Sequence, residues 1–173
     1  MKSLRTLALL PLTAAAAHAY MHSPSIELQL GQSRPTGYDQ GSVVGLNIAG
    51  QVSQSVGLGL NLSSKTIEDV NAGMKVRNAS LDLTYELNPR GAIRPFIGAG
   101  LGYAWFSDAA GFTDSKGATT TSVFGGIRFE LSRSVDIAFN VRNNEILNVP
   151  DTSGANGKTI KNWESTVGLR FKF

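Results

Sequence analysis

Trp163-Glu164-Ser165-Thr166-Val167-Gly168-Leu169-Arg170-Phe171-Lys172-Phe173 alternates without a slip between two chemically different faces. One carries Trp163, Ser165, Val167, Leu169, Phe171 and Phe173; the other carries Glu164, Thr166, Gly168, Arg170 and Lys172. A period of two residues is the signature of a β-strand with one side in each of two environments. The apolar side has rings at both ends and aliphatic residues between, the profile of a strand that crosses a bilayer with an aromatic residue at each headgroup level.

The same period recurs in seven further segments. Strand 1 is predicted at Ser25 to Gly31, strand 2 at Ser42 to Gln51, strand 3 at Ser55 to Ser63 and strand 4 at Val76 to Leu87. Strand 5 runs from Ala92 to Phe106, strand 6 from Thr119 to Leu131 and strand 7 from Ser134 to Asn143, with the opening stretch as strand 8. Connections alternate in length. Gln51 to Gln54, Asn88 to Gly91 and Ser132-Arg133 are tight, whereas Arg34 to Gly41, Ser64 to Lys75, Ser107 to Ala118 and Asn144 to Ile160 are longer and rich in Gly, Ser, Asn, Asp and Thr. Short turns at one end and longer loops at the other are the pattern of an outer-membrane barrel, in which an even strand number leaves both termini periplasmic. The expected fold is all-β: an eight-stranded antiparallel up-and-down transmembrane β-barrel.

Residues 1–19 read as a cleavable signal peptide. Lys2 and Arg5 precede the apolar run Thr6 to Ala17, and Ala17-His18-Ala19 is a small-x-small cleavage site, so the barrel domain is expected at residues 20–173. Cleavage after Ala19 removes two of the sixteen basic residues that give the chain its formal charge of +3. The near-neutral remainder gives no electrostatic ground for nucleic acid as a partner. Without cysteine there is no disulfide framework, thiol chemistry or lipid-anchored Cys.

Alternation alone fits a soluble barrel turned outside in, so the polar face has to decide. It combines Gly57, Gly59, Gly98, Gly100, Gly102, Gly126 and Gly168 with charges of both signs. Small residues opposite long charged ones make a narrow, filled lumen. Glu27, Asp82, Glu86, Glu130, Asp136 and Glu164 face in, as do Arg94, Arg128, Arg142, Arg170 and Lys172. A regular hairpin about Arg90 would set Glu86 opposite Arg94, and Glu130 would face Asp136 across Ser132-Arg133. Arg128, Arg170 and Lys172 are placed to neutralise that repulsive pair with Glu27 joining from strand 1, and Arg142 neighbours Glu164. Buried charge has to be paired, so the expectation is a luminal ion-pair network and an occluded interior. On the apolar face, Tyr103, Trp105 and Trp163 mark the loop side, and Tyr85, Phe129, Phe171 and Phe173 the turn side.

Arg94-Pro95-Phe96-Ile97-Gly98-Ala99-Gly100-Leu101-Gly102-Tyr103-Ala104-Trp105 resembles the Arg-Pro-Phe/Tyr-x-Gly-x-Gly-x-Gly-Tyr segment of the OmpA-type and opacity-protein-like small outer-membrane barrels. The terminal strand ending in Phe173 likewise resembles the assembly signal of such barrels. The resemblance implies residence in the outer membrane of a Gram-negative envelope, contact with outer-membrane lipid and lipopolysaccharide, and recognition of the last strand by the barrel-assembly machinery. It also implies a structural or surface-interaction role, with loops available to a surface ligand. An OmpW-like conduit for a small solute or lipid ranks second, with Phe96, Phe106 and Phe124 as inward rings that either line an apolar pocket or fill space.

A lipid-modifying enzyme ranks last. Lipid A deacylases and palmitoyltransferases built on similar barrels use a His, and the only one after the signal is His22, read as outside any strand. Strand 7 carries Asn140-Val141-Arg142-Asn143 where a deacylase would show a His-x-Ser motif. No catalytic, cofactor or metal site is expected: Asp108, Asp114 and the Glu68-Asp69 pair read as solvated loop charge. Gly98, Gly100 and Gly102 are not a nucleotide loop, because no helix follows them. Lys75, Arg77 and Lys161 fall at the outer rim, within reach of lipopolysaccharide phosphates. Ile146 and Leu147 are expected in the longest loop, as a partner contact or a cap on the barrel mouth.

Overall fold

A computed structural model describes residues 22–37, 39–67, 74–107, 117–149 and 158–173. They form eight strands: β1 (His22–Pro35), β2 (Gly41–Gln51), β3 (Val56–Ile67), β4 (Met74–Glu86), β5 (Ile93–Ser107), β6 (Ala118–Ser132), β7 (Val135–Val149) and β8 (Lys158–Lys172). Each pairs antiparallel with its neighbours in sequence, and β8 returns to β1 to close the barrel. That seam is in register from Ser25 opposite Lys172 to Pro35 opposite Asn162. Closure leaves no unpaired edge, which a spanning sheet requires because lipid offers no hydrogen-bond partner. Pro95, which has no N–H to give, lies near the start of β5 and accepts from the Leu87 amide at 2.9 Å.

The side chains sort as the alternation demands. Leu28, Leu30, Leu81, Leu83, Ile97, Leu101 and Val167 are exposed on the outer face, an apolar area that a water-soluble monomer does not carry. The inner face buries Glu27, Asp82, Glu86, Arg94, Arg128, Asp136, Glu164 and Arg170.

The strands run further toward the loop end than the sequence suggested, and there the alternation inverts. In β4, β7 and β8 the outward positions become Lys75, Arg77, Glu145 and Lys161, while the inward ones become Val76, Ile146 and Ile160. With Ala104, Phe106, Ala118 and Val149 these inward residues form a buried apolar cluster above the charged lumen. Beyond the lipid the wall behaves as a soluble barrel does, wet outside and apolar inside. Three expectations are corrected, two at the loop end and one, His22, at the turn end. Ile146 and Leu147 belong to β7 and not to a loop, and Ile146 is fully buried. Lys65 belongs to β3. His22, expected outside any strand, begins β1 opposite Gln51.

At the turn end the β4–β5 hairpin corrects another expectation. Glu86 stands opposite Phe96, not Arg94, because the hairpin turns about Gly91 and not about Arg90. Gly91 N–H donates to Asn88 O at 3.2 Å, and Asn88 Nδ2 reaches Ile93 O at 3.2 Å, which props open a wider connection than a minimal turn. The β6–β7 hairpin sets Glu130 opposite Asp136.

Candidate functional site: lumen and outer rim

Six acidic and six basic side chains face the lumen among those described, since Lys65 joins Arg94, Arg128, Arg142, Arg170 and Lys172 against Glu27, Asp82, Glu86, Glu130, Asp136 and Glu164. They divide into four tiers, each neutral by itself.

Nearest the loop end, Lys65 pairs with Glu164. Asn162 donates to the same carboxylate at 2.8 Å and accepts from Ser33 Oγ at 2.8 Å. Next, Arg142 grips Asp82 through both terminal nitrogens and donates to Ser122 Oγ at 3.0 Å. Two-pronged contact between a guanidinium and a carboxylate is the strong form of this bond. Arg142 and Glu164 are opposite in register, as expected, but each takes a different partner across the lumen. In the third tier Glu86 accepts from Arg128 and from Arg170 at 3.4 Å, and Glu27 lies 4.0 Å from Arg128. Glu27 also accepts from Gln29 at 2.7 Å and Asn140 at 3.0 Å. At the turn end Arg94 lies 2.5 Å from Asp136 and 3.4 Å from Glu130, while Lys172 lies 2.8 Å from Asp136 and 3.5 Å from Glu130. Of the three cations expected to neutralise the repulsive Glu130–Asp136 pair, Lys172 makes ion pairs with it and is joined by Arg94; Arg128 and Arg170 make theirs with Glu86 and Glu27 in the tier above, although Arg170 stands opposite Asp136 in register.

Lys65 is the residue that the sequence reading missed. Its side chain is 2 % exposed, which leaves Glu164 as its counter-charge. The available signal was parity: Lys65 continues the inward series Gly59, Asn61, Ser63 on the same strand.

Phe96 and Phe124 border the larger of two small luminal voids, whose lining is otherwise mostly polar. Phe124 stands opposite Gly98, and Phe96 opposite Gly126. A Cβ on Gly98 would overlap the Phe124 ring, so that glycine vacates the space the ring fills; one on Gly126 would overlap the Phe139 carbonyl first and lie 2.8 Å from the Phe96 ring. The rings lie 6.5 Å apart. The Arg128 guanidinium sits 4.1 Å from the Phe96 centroid and the Arg142 guanidinium 4.2 Å from that of Phe124. These cation–π contacts bind the second and third tiers into one column. Phe106 sits in the apolar cluster above.

Two voids of about 30 and 20 Å³ remain in the lumen, the larger bordered by all eight strands and the smaller mainly by β2, β3 and β4, and they share Asn47, Asp82, Thr84 and Arg128 in their linings. Each has room for a water or two among polar groups.

The outward rings stand at two levels. Tyr103 and Trp105 pack edge to face at 5.2 Å near the loop end, at the level where Trp163 stands opposite Arg34. Tyr85, Phe129, Phe171 and Phe173 occupy the turn end, and Phe129 meets Phe139 edge to face at 6.0 Å. Among the described residues no group of three or more His, Cys, Asp or Glu is placed to hold a metal. The signal-peptide cleavage point, Glu68, Asp69, Asp108 and Asp114 lie outside the described residues.

The sequence matches the model of the outer membrane protein beta-barrel domain over residues 6–173. No curated protein sequence matches it. Neisserial surface protein A superposes with a TM-score of 0.65 at 16% identity, over 87% of this chain and 96% of that one. The outer membrane protein OprG from Pseudomonas aeruginosa gives 0.60 at 16% identity, over 89% and 97%. The outer membrane enzyme PagL gives 0.52 at 14% identity, over 84% and 97%. At such identities the likeness is one of fold, and the fold is shared by an enzyme.

Proposed function

The chain belongs to the family of outer membrane protein beta-barrel domains, and from that premise we propose that it acts in the bacterial outer membrane as a non-enzymatic barrel with a closed lumen. Its work is done from its outer surface, by sustaining envelope integrity or by surface interaction through the extracellular loops. The observation that carries this reading is the tier-by-tier pairing of the luminal charges. An ion entering the lumen would have to break pairs most of whose members are buried, and among the described residues no inward charge stands without an ion-pair partner to replace its water.

In this reading both termini are periplasmic, on the side of the short turns, and β8 with its terminal Phe173 is the segment offered to the assembly machinery. Lipopolysaccharide surrounds the loop end. A deletion strain should be more sensitive to detergent than wild type, or should lose binding to a surface ligand; no change in either assay would overturn the proposal.

The two luminal voids, which share four lining residues, favour a second reading, a conduit for small solutes, and single-channel conductance of the purified barrel would establish it. The enzyme reading has less support. His22, the one His among the described residues, lies at the turn end, remote from the outer leaflet in which a lipid-modifying site would work. An altered lipid A acyl pattern in overproducing cells would reinstate it.

A further inference from the structure

Among the described residues the cations exposed at the outer rim fall into two groups on opposite sides of the barrel, and they are not equivalent. On β8 and β1, Lys161 lies 3.2 Å from Glu145, and Arg34 Nε donates to Gln40 at 3.1 Å. On β4, Lys75 and Arg77 point outward, are exposed, and have no carboxylate beside them among the described residues.

Their surroundings are chemically specific. Arg77 stands between Ser64 on β3 and Trp105 on β5 in a single cross-strand row, and Lys75 stands beside Thr66 in the next row outward. One row inward, Ala79 lies between Leu62 and Tyr103, so the surface dips between two large side chains. Leu60, Leu81 and Leu101 continue the face toward mid-bilayer. From the loop end downward the order is therefore two cations flanked by hydroxyls, an indole, a notch, and aliphatic wall.

We propose that this face of β3, β4 and β5 docks one phosphorylated glycolipid of the outer leaflet. Successive outward residues of a strand stand about 7 Å apart, so Lys75 and Arg77 can hold one phosphate between them. Ser64 and Thr66 hydrogen-bond its sugar hydroxyls, the Trp105 indole covers a sugar face, and an acyl chain lies in the notch at Ala79. Phosphate attracts the cations in any anionic lipid; the hydroxyls and indole select the glycolipid. The site rests on the reading that the loop end faces outward from the cell.

The test uses the purified barrel reconstituted in phosphatidylcholine nanodiscs. These are doped with bisphosphorylated lipid A, with dephosphorylated lipid A, or with phosphatidylglycerol, and retained lipid is counted by native mass spectrometry after gentle extraction. Wild type should retain one bisphosphorylated lipid A. K75Q/R77Q should retain about tenfold less or lower still, W105L should lose preference for lipid A over phosphatidylglycerol, and R34Q/K161Q should match wild type. Equal retention by K75Q/R77Q, equal loss in R34Q/K161Q, or equal capture of phosphatidylglycerol by wild type would overturn the site. Conductance recorded on the same samples separates the two proposals. A conducting wild type that still binds lipid A through Lys75 and Arg77 overturns only the closed lumen; a silent barrel that retains no lipid A overturns only the docking site.

Discussion

Lys65 on β3 and Glu164 on β8 meet as a buried ion pair directly under the apolar cluster that roofs the lumen. Removing one member of such a pair leaves the other charged, dry and uncompensated. Lys65→Met should lower stability by about 3–5 kcal/mol, and the double variant Lys65→Met, Glu164→Leu should recover most of it. Urea midpoints of the refolded barrel in detergent would decide. A single variant as stable as wild type would mean that the pair is not buried in solution.

Glu86 serves two arginines, so its removal should cost more than removal of either partner. Glu86→Gln removes the carboxylate that Arg128 and Arg170 share and leaves Glu27 beside Arg128 and, opposite Arg170, an Asp136 already held by Arg94 and Lys172, whereas Arg170→Met leaves the Glu86–Arg128 bond intact. We expect a loss of at least ~3 kcal/mol for the first and a smaller one for the second. The same unfolding assay gives the order, and an inverted order would count against the third tier as described.

Gly98 and Phe124 form a lock that can be opened from one side. Gly98→Ala should cost about 1–3 kcal/mol by overpacking, because its Cβ would meet the Phe124 ring and, at 2.6 Å, the Leu83 carbonyl. Adding Phe124→Leu should relieve the first clash and leave the second, so rescue is partial. Full rescue would show that the backbone can give way.

Lys172→Glu would put three carboxylates together at the turn end and leave Arg94 as the one cation among the described residues that is ion-paired with Glu130 and Asp136. Closure of β8 on β1 should fail while the apolar face of β8 is untouched. The readout is loss of the heat-dependent gel shift that marks a folded barrel, with Lys172→Arg retaining it.

Strand number, pairing order and the division into lipid-facing and luminal residues were all legible in the sequence, because within the bilayer one period of two carries both environments. The outer ends of β3, β7 and β8 were not. There water replaces lipid outside, polarity reverses across the wall, and Glu145-Ile146-Leu147 reads as loop although its alternation persists with the opposite sign. The same cut at Ser63 hid Lys65. Counting back from a hairpin was unreliable for a different reason. Nothing in Asn88-Pro89-Arg90-Gly91 announces that Asn88 will hydrogen-bond to Ile93 and shift the pivot by one residue, which moves Glu86 from Arg94 to Phe96. Facing residues on adjacent strands also proved a poor guide to ion pairs: Arg142 and Glu164 are neighbours in the sheet, yet each bonds across the lumen, where a long side chain reaches further than the strand spacing.

Since every luminal tier sums to zero charge without help from those above or below, the tier, and not the residue, is the natural unit of change in this barrel. A lineage could trade Lys65 and Glu164 together for two aliphatic residues, or reverse both signs, and leave Asp82 with Arg142 undisturbed. Half of such a trade would be selected against at once. In the two tiers nearest the loop end homologues should therefore differ by whole pairs drawn from non-adjacent strands, a pattern of joint substitution that skips across the sheet and follows the lumen.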